Sequence, residues 1–257
     1  MSGEAGGGFH DHFSGVAGEY ARFRPGYPPA LFDWLVERAP GRALAWDCAT
    51  GSGQAALALA ERFARVVATD ASAEQVAHAR THPRVEYRVA PAERSTLEPA
   101  SADLVTVAQA LHWFDVPAFF REARRVLRPG GLLAAWCYAG LTLSDAALDR
   151  VFGDFYDCLL GPYWPPERAL VEEGYASVDF PFAELAPPPL AMEAELTLDG
   201  LAGYLRTWSA TQRYMAAHGR DPVAGVVEEL RPAWGDPAAR RRVRWPLAIR
   251  AGYAAAE

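Results

Sequence analysis

From residue 43 to residue 138 the chain alternates two hydrophobic patterns. Apolar runs of strand length fall at Ala43–Cys48, Arg65–Thr69, Val85–Val89, Leu104–Val107 and Leu132–Tyr138. Between them, Gln54–Phe63, Ala73–Arg80 and Ala118–Leu127 have the composition and spacing of helices. An earlier helix is predicted to open at Pro28-Pro29 and run to about Arg38. Proline suits a first helical turn, and Leu31, Trp34, Leu35 and Ala39 share one helical face. Arg128-Pro129-Gly130-Gly131 is a strong stop that returns the chain to a strand. Strands alternating with crossover helices predict an α/β fold, a Rossmann-like, mostly parallel sheet with helices on both faces.

Beyond Ala139 the pattern changes. Leu141–Leu160, Glu167–Gly174, Leu198–His218 and Asp221–Leu230 read as helices, and the aromatic residues Phe152, Phe155, Tyr156, Tyr163 and Trp164 crowd together. Phe180–Leu185 reads as a strand, broken soon after by Pro187-Pro188-Pro189. A last strand is expected over Val243–Ile249, with Pro246 arguing for an edge or a bulge. The result is a sheet core with a mainly helical cap insertion.

Composition narrows the chemistry more than the fold. The chain has 257 residues, half of them hydrophobic, so a large core is possible. Its net charge of −7 makes it a poor candidate for tracking phosphate backbones, and no nucleic-acid partner is expected. Three cysteines without a Cys-x-x-Cys pair indicate neither a disulfide framework nor a metal site. The glycine-rich start has no apolar signal region, and no run reaches membrane-spanning length, so a cytoplasmic protein without a membrane partner is expected. Lysine is absent, which removes Schiff-base chemistry and the P-loop lysine.

The densest chemical signal is the run Asp47-Cys48-Ala49-Thr50-Gly51-Ser52-Gly53, in which a strand ends in a carboxylate and a Gly-x-Gly turn opens a helix. Glycine lets backbone turn sharply and approach a ligand. About twenty residues later the next strand ends in Asp70, at a distance suited to ribose hydroxyls. Together these predict an adenosine-containing cofactor. Gly51 to Ala56 also satisfies a permissive dinucleotide pattern, so a nicotinamide-dependent oxidoreductase is the alternative. Against it, the carboxylate leading the turn would repel a pyrophosphate and suits a cationic group.

Asp47-x-x-x-Gly51-x-Gly53 followed by Asp70 resembles the first two motifs of class I S-adenosylmethionine-dependent methyltransferases. Ala90 to Glu93, Ser101 to Phe114 and Arg125 to Gly131 resemble later motifs in the same order. Tyr20-x-x-Phe23-Arg24-Pro25, His112-Trp113-Phe114-Asp115 and Thr207-Trp208-Ser209 look like the type 11 branch near the trans-aconitate methyltransferases. The resemblance implies that Asp47 stands near the amino group of the cofactor's methionine moiety and that Gly51 and Gly53 let the turn pass close by. Asp70 would take the ribose, Ala71, Ala92 and Glu93 would line the adenine pocket, and Gln109 and Ala110 would lie under the methionine part. Tyr20 and Arg24 would close over the cofactor, Arg24 toward its carboxylate. A small-molecule acceptor is implied, with a carboxylic acid suggested by the nearest branch. Such an acceptor needs no base. For a hydroxyl or amine acceptor His112 or Tyr20 is the candidate base, His112 against the competing reading of a packed wall residue. Trp113, Tyr156, Trp164, Trp208 and Arg206 are candidate acceptor contacts, Arg206 with Arg213 for an anion, against the competing reading of surface arginines. A non-catalytic cofactor binder is a third reading.

The expected organisation is 1–29 as a segment covering the cofactor, 30–140 as the Rossmann-like core that binds S-adenosylmethionine, 141–240 as the helical cap with one core strand, and 241–257 as the final core strand and tail. A monomer or a homodimer is expected.

Overall fold

A computed structural model describes residues 25–143 and 145–254. Helix α1 (Pro29–Arg38) leads into β1 (Leu44–Cys48), α2 (Gln54–Ala60), β2 (Arg65–Asp70), α3 (Ala73–His78) and β3 (Val85–Val89). Next come β4 (Ala102–Ala108), α4 (Val116–Val126) and β5 (Leu127–Cys137). After α5 (Ala146–Gly153) and α6 (Arg168–Glu172) come β6 (Ala183–Glu184), β7 (Ala191–Leu196), α7 (Leu198–Arg206), α8 (Ser209–His218), α9 (Pro222–Trp234), β8 (Arg241–Pro246) and β9 (Ala248–Tyr253).

Among the described residues seven strands form the main sheet, in the order β3-β2-β1-β4-β5-β9-β6. The first five are parallel, as right-handed crossovers require, and β9 runs antiparallel to β5. Strand order reverses between β1 and β4, the switch point at which open α/β sheets bind ligands. The predicted mostly parallel sheet is the one observed.

Each face of the sheet carries its own core. On one, Trp46, Val105, Leu133 and Cys137 pack against Phe119, Phe120 and Ala123 of α4, and Val171 and Tyr175 join them. On the other, Ala45, Val66, Ala134 and Trp136 meet Leu31, Phe32 and Leu35 of α1 and Leu59 of α2. Central strands covered on both faces explain why β1 and β4 read as nearly continuous apolar runs. The cap has a third core, built around Phe152, Tyr204, Trp208, Trp234 and Trp245.

The cap departs from the pattern reading in four places. The stretch Leu198–His218 is two helices, parted at Thr207-Trp208, where the Thr207 hydroxyl bonds back to the Tyr204 carbonyl and Trp208 turns to extended backbone. Helix α5 passes into a wide π turn over Asp154–Leu159. The predicted last strand divides at Pro246-Leu247. Its first half, β8, pairs with β7 in a separate two-stranded sheet, and its second half, β9, completes the main sheet. The stretch 241–257 is therefore not simply a final core strand and tail. Strand β7 lies outside the predicted elements, although Met192, Ala194 and Leu196 alternate with Glu193 and Glu195 along it. Among the described residues no helix is long and apolar enough to cross a membrane, and no group of three His, Cys, Asp or Glu side chains could hold a metal.

Candidate active site

At the carboxyl ends of β1, β2 and β4 the sequence and the sheet converge. Asp47 sits one residue before the end of β1, with 1% of its surface exposed. The hydroxyls of Thr50 and Thr106 donate to its two oxygens at 2.6 and 2.7 Å. Burial pushes its carboxyl up to about 6, and the two threonine bonds oppose that rise. Asp47 thus sets the turn above it from below: Thr50 is pulled down, and the backbone then runs through positive φ at Ala49, Gly51 and Gly53.

The two glycines serve different ends. A Cβ on Gly51 would meet nothing nearer than Gln75 Oε1 at 3.9 Å, so its far side is open. On Gly53 a Cβ would stand 2.2 Å from the Tyr87 hydroxyl, which itself donates to the Arg80 carbonyl. Gly53 is required by packing against β3, in addition to its φ of 84° at the N-cap of α2.

Asp70 ends β2. One of its oxygens accepts the Gly51 N–H at 2.8 Å and the other the Ser72 N–H at 2.9 Å. Helix α3 is capped by Ser72, whose side chain accepts the Gln75 N–H. Ala71 beside it is exposed. Ala92 is buried, on a loop tied to α4 by the Ser95 backbone and hydroxyl donating to Glu122. Glu93 accepts the Asp115 N–H at 3.0 Å, which joins that loop to the start of α4. Gln109 takes a φ of 56°, and its amide clasps Tyr138 at both backbone groups, at 3.0 and 2.8 Å. This clasp ties the end of β4 to the end of β5. Ala110 comes next, buried. Tyr20 and Arg24 lie outside the described residues.

Beyond Gln109 the rim opens into a cavity of about 70 Å³ between sheet and cap. Of the expected acceptor contacts, Trp113, Trp164 and Trp208 line it, with His112 and Gln109. Trp113 is 36% exposed, at a mouth of the site. Tyr156 lies behind the wall, its ring against Trp164 and Trp208. Arg206 does not reach the cavity: it pairs with Asp221 at 2.8 Å, at the start of α9, so the structure gives no support to an anion contact there.

His112 is half-shielded in the wall. Its Nδ1 lies 3.1 Å from the Tyr175 hydroxyl. Burial, and behind it the positive charge of Arg168, push its pKa down to about 4. An imidazole so hard to protonate is a weak base at neutral pH, and the general-base reading loses support. Arg168 is the site residue that sequence reasoning missed. It lines the cavity, stacks on Trp164 at 4.5 Å, and bonds to Glu172, to the Tyr156 hydroxyl and to the Ala139 carbonyl. Its spacing to Glu172 reads as an ordinary i,i+4 surface pair, which hid it.

The comparisons agree with this architecture. A profile for the methyltransferase domain matches residues 46–135, from the buried Trp46 of β1 into β5. A protein from Anaeromyxobacter dehalogenans, described as a type II methyltransferase, superposes with a TM-score of 0.87 at 50% identity, covering 91% of this chain and all of that one. A relative from Dictyostelium discoideum that carries a methyltransferase name is 31% identical over 229 residues, 88% of this chain and 87% of its own length. The chain belongs to the class I S-adenosylmethionine-dependent methyltransferases. An uncharacterised methyltransferase of Mycobacterium tuberculosis is 41% identical over 122 residues, 47% of this chain and 49% of that protein. Membership sets aside the nicotinamide oxidoreductase.

The methyltransferase's own residues fit its cofactor, S-adenosylmethionine. The open far side of Gly51, the adjacent Asp70 carboxylate and the buried Asp47 acid offer a close backbone approach, acceptors for hydroxyls and negative charge for an ammonium.

Proposed function

We propose that this methyltransferase transfers the methyl group to a small carboxylic acid, forming a methyl ester. When bound, the cofactor supplies a methyl group already activated on a sulfonium. The protein's work is then to hold two reactants at attack distance, and orientation of that kind is worth roughly 7–11 kcal/mol in favourable cases. In this reading Asp70 accepts hydrogen bonds from the ribose hydroxyls and keeps the turn at Gly51 in place. Asp47 balances the ammonium from beneath the turn. Ala71, Ala92 and Glu93 flank the adenine, and Gln109 and Ala110 floor the passage from rim to cavity. Tyr20 and Arg24 are proposed to cover the cofactor.

One observation carries the choice of a carboxylate. The cavity next to the rim holds a histidine depressed to about 4 and an arginine, so it favours an acceptor that is already anionic over one that must lose a proton. The resemblance of His112-Trp113-Phe114-Asp115 to the trans-aconitate branch points the same way. A carboxylate oxygen forms the new O–CH3 bond as the S–CH3 bond breaks and its electron pair stays on sulfur, and no proton moves.

Calorimetry with S-adenosylhomocysteine tests the cofactor assignment. Asp70→Ala is expected to weaken binding by about ten- to a hundredfold, the loss of charge-assisted hydrogen bonds. Unchanged affinity in a folded variant would remove Asp70 from the site. Labelled methyl transfer into an extract of small acids tests the reaction. The product is expected to release its label as methanol in mild alkali, as esters do, and an alkali-stable label would reject O-methylation of an acid.

A further inference from the structure

Arg168 is held on two sides and open on a third. Its Nε bonds to Glu172 at 2.7 Å and lies 3.2 Å from the Tyr156 hydroxyl; its Nη2 bonds to the Ala139 carbonyl at 2.7 Å and to the same hydroxyl. Nη1 has no hydrogen-bond partner among the described residues, although the side chain lines the cavity. Two of the five guanidinium N–H groups are therefore free for a ligand. The three anchored ones fix the plane of the fork, with Trp164 stacked on its face at 4.5 Å.

His112 brings a second donor to the same space. Its Nδ1 lies 3.1 Å from the Tyr175 hydroxyl. When that hydroxyl donates to Nδ1, the neutral ring carries its hydrogen on Nε2, which has no partner among the described residues. Arg168 lines the same cavity as His112, is paired at Nε with Glu172 at 2.7 Å, and its charge disfavours the imidazolium. A cavity with a cationic donor, a second ring donor and aromatic walls suits an anion with a compact apolar body.

We infer that Arg168 Nη1 and the Nε2–H of His112 form a recognition pair that holds one oxygen of the acceptor's carboxylate, and that the acceptor is a small acid whose apolar body rests against Trp164 and Trp208. Arg168 selects the acceptor, and His112 donates a hydrogen bond to it instead of taking a proton. This rests on the proposed methyl transfer and names the residues that set its substrate class.

The test uses the full-length protein saturated with S-adenosylhomocysteine and two acid–amide pairs, benzoate with benzamide and crotonate with crotonamide. Each amide keeps the shape and loses the charge. Titration calorimetry is expected to show each acid binding about tenfold or more tightly than its amide. In Arg168→Gln the ratio is expected to fall to near one with amide affinity unchanged. A purely structural role for Arg168 would instead weaken acid and amide together. His112→Gln, which retains an N–H donor, keeps the ratio, whereas His112→Leu lowers it severalfold. Equal binding of acid and amide by the unaltered protein overturns the inference, as does the absence of acid binding up to about 20 mM. A ratio that Arg168→Gln leaves unchanged also overturns it. Should Arg168→Gln disrupt the cap and abolish all binding, His112→Leu decides: an unchanged ratio there overturns the pair. A protein that fails to bind S-adenosylhomocysteine at all would sink the cofactor assignment itself, which is a separate result.

Discussion

Gln109 stands where two differently built regions meet. On its rim side the site is made of backbone and short side chains. Ala49, Gly51 and Gly53 carry the turn, Asp47 and Asp70 hold it with bonds of 2.6–2.9 Å, and Thr50, Ser72 and Thr106 supply the partners. On its cap side the site is made of long side chains. Trp164, Trp208, Tyr204 and Arg168 reach in from separate elements. The rim's shape is set largely by hydrogen bonds within a few residues of one another and between neighbouring strands. The cavity's shape is set by packing of aromatic rings brought together by the whole cap. Such a division suits a transferase: a part that meets one fixed cofactor benefits from a rigid frame, and a part that chooses an acceptor is altered by exchanging side chains without touching the sheet.

The sharpest way to break this comparison is to remove the ring that the cap is packed on. Trp208 is 4% exposed and touches the rings of Phe152, Phe155, Tyr156, Trp164 and Tyr204. Trp208→Ala is expected to cost about 3–5 kcal/mol in urea unfolding. Affinity for S-adenosylhomocysteine at low denaturant should change little, because none of the rim's bonds passes through Trp208. A parallel collapse of cofactor affinity would mean that rim and cap are one cooperative unit and that the division is false.

Acidity gives a second comparison, since each region holds one displaced group and the two displacements oppose each other. Asp47 on the rim is raised to about 6 from an ordinary 3.8. The folded chain therefore holds that proton more tightly than the unfolded chain does. The associated stability is present below pH 4 and is lost as pH rises toward 6, by on the order of 3 kcal/mol. His112 in the cavity is lowered to about 4 from 6.5. The folded chain holds this proton less tightly, so its contribution is present above pH 6.5 and is lost as pH falls toward 4, by a similar amount. In the unaltered protein the two largely cancel between pH 4 and 6. His112→Gln should make the protein gain stability on acidification from pH 6.5 to 4.5 relative to the parent. Asp47→Asn should make it lose stability over the same range. Parallel profiles for both variants in chemical denaturation would show that one of the two groups is not displaced as described.

The contrast between rim and cavity also governs what could be read in advance. Asp47, Gly51, Gly53 and Asp70 were legible because a strand, a turn and a carboxylate within a few residues make one local motif, and the sheet then aligns the strand ends. Even there the causes differed from the reading. Gly53 answers to Tyr87, which lies thirty-four positions away in sequence, and Gln109 acts first as a clasp on Tyr138. In the cap, local spacing carried little. Arg168 reaches a carbonyl twenty-nine residues back, and His112 meets a tyrosine sixty-three residues on. Arg206 sits on a helix of the right composition, but Asp221 takes its charge. Strand β8 could not be told from β9 because one continuous run serves two sheets, with Pro246 at the division.

The smallest effect expected lies within the rim and separates two glycines that a motif treats alike. At Gly51 a methyl group has open space, and the cost is the left-handed backbone at φ 54°, about 1 kcal/mol for a residue with a Cβ. At Gly53 the same backbone cost is joined by a contact of 2.2 Å to the Tyr87 hydroxyl, held in turn by the Arg80 carbonyl, and about 2 kcal/mol is expected. The affinities should rank the other way. Gly51→Ala puts its methyl on the open side of the turn and should weaken S-adenosylhomocysteine more than Gly53→Ala does. Pairing Gly53→Ala with Tyr87→Ala should recover part of the loss, since the methyl then fills vacated space, and no pairing with Tyr87 should help Gly51→Ala. Equal stability losses at the two glycines, with no coupling to Tyr87, would show that the turn yields as a unit and that its rigidity comes from the two carboxylates beneath and beside it.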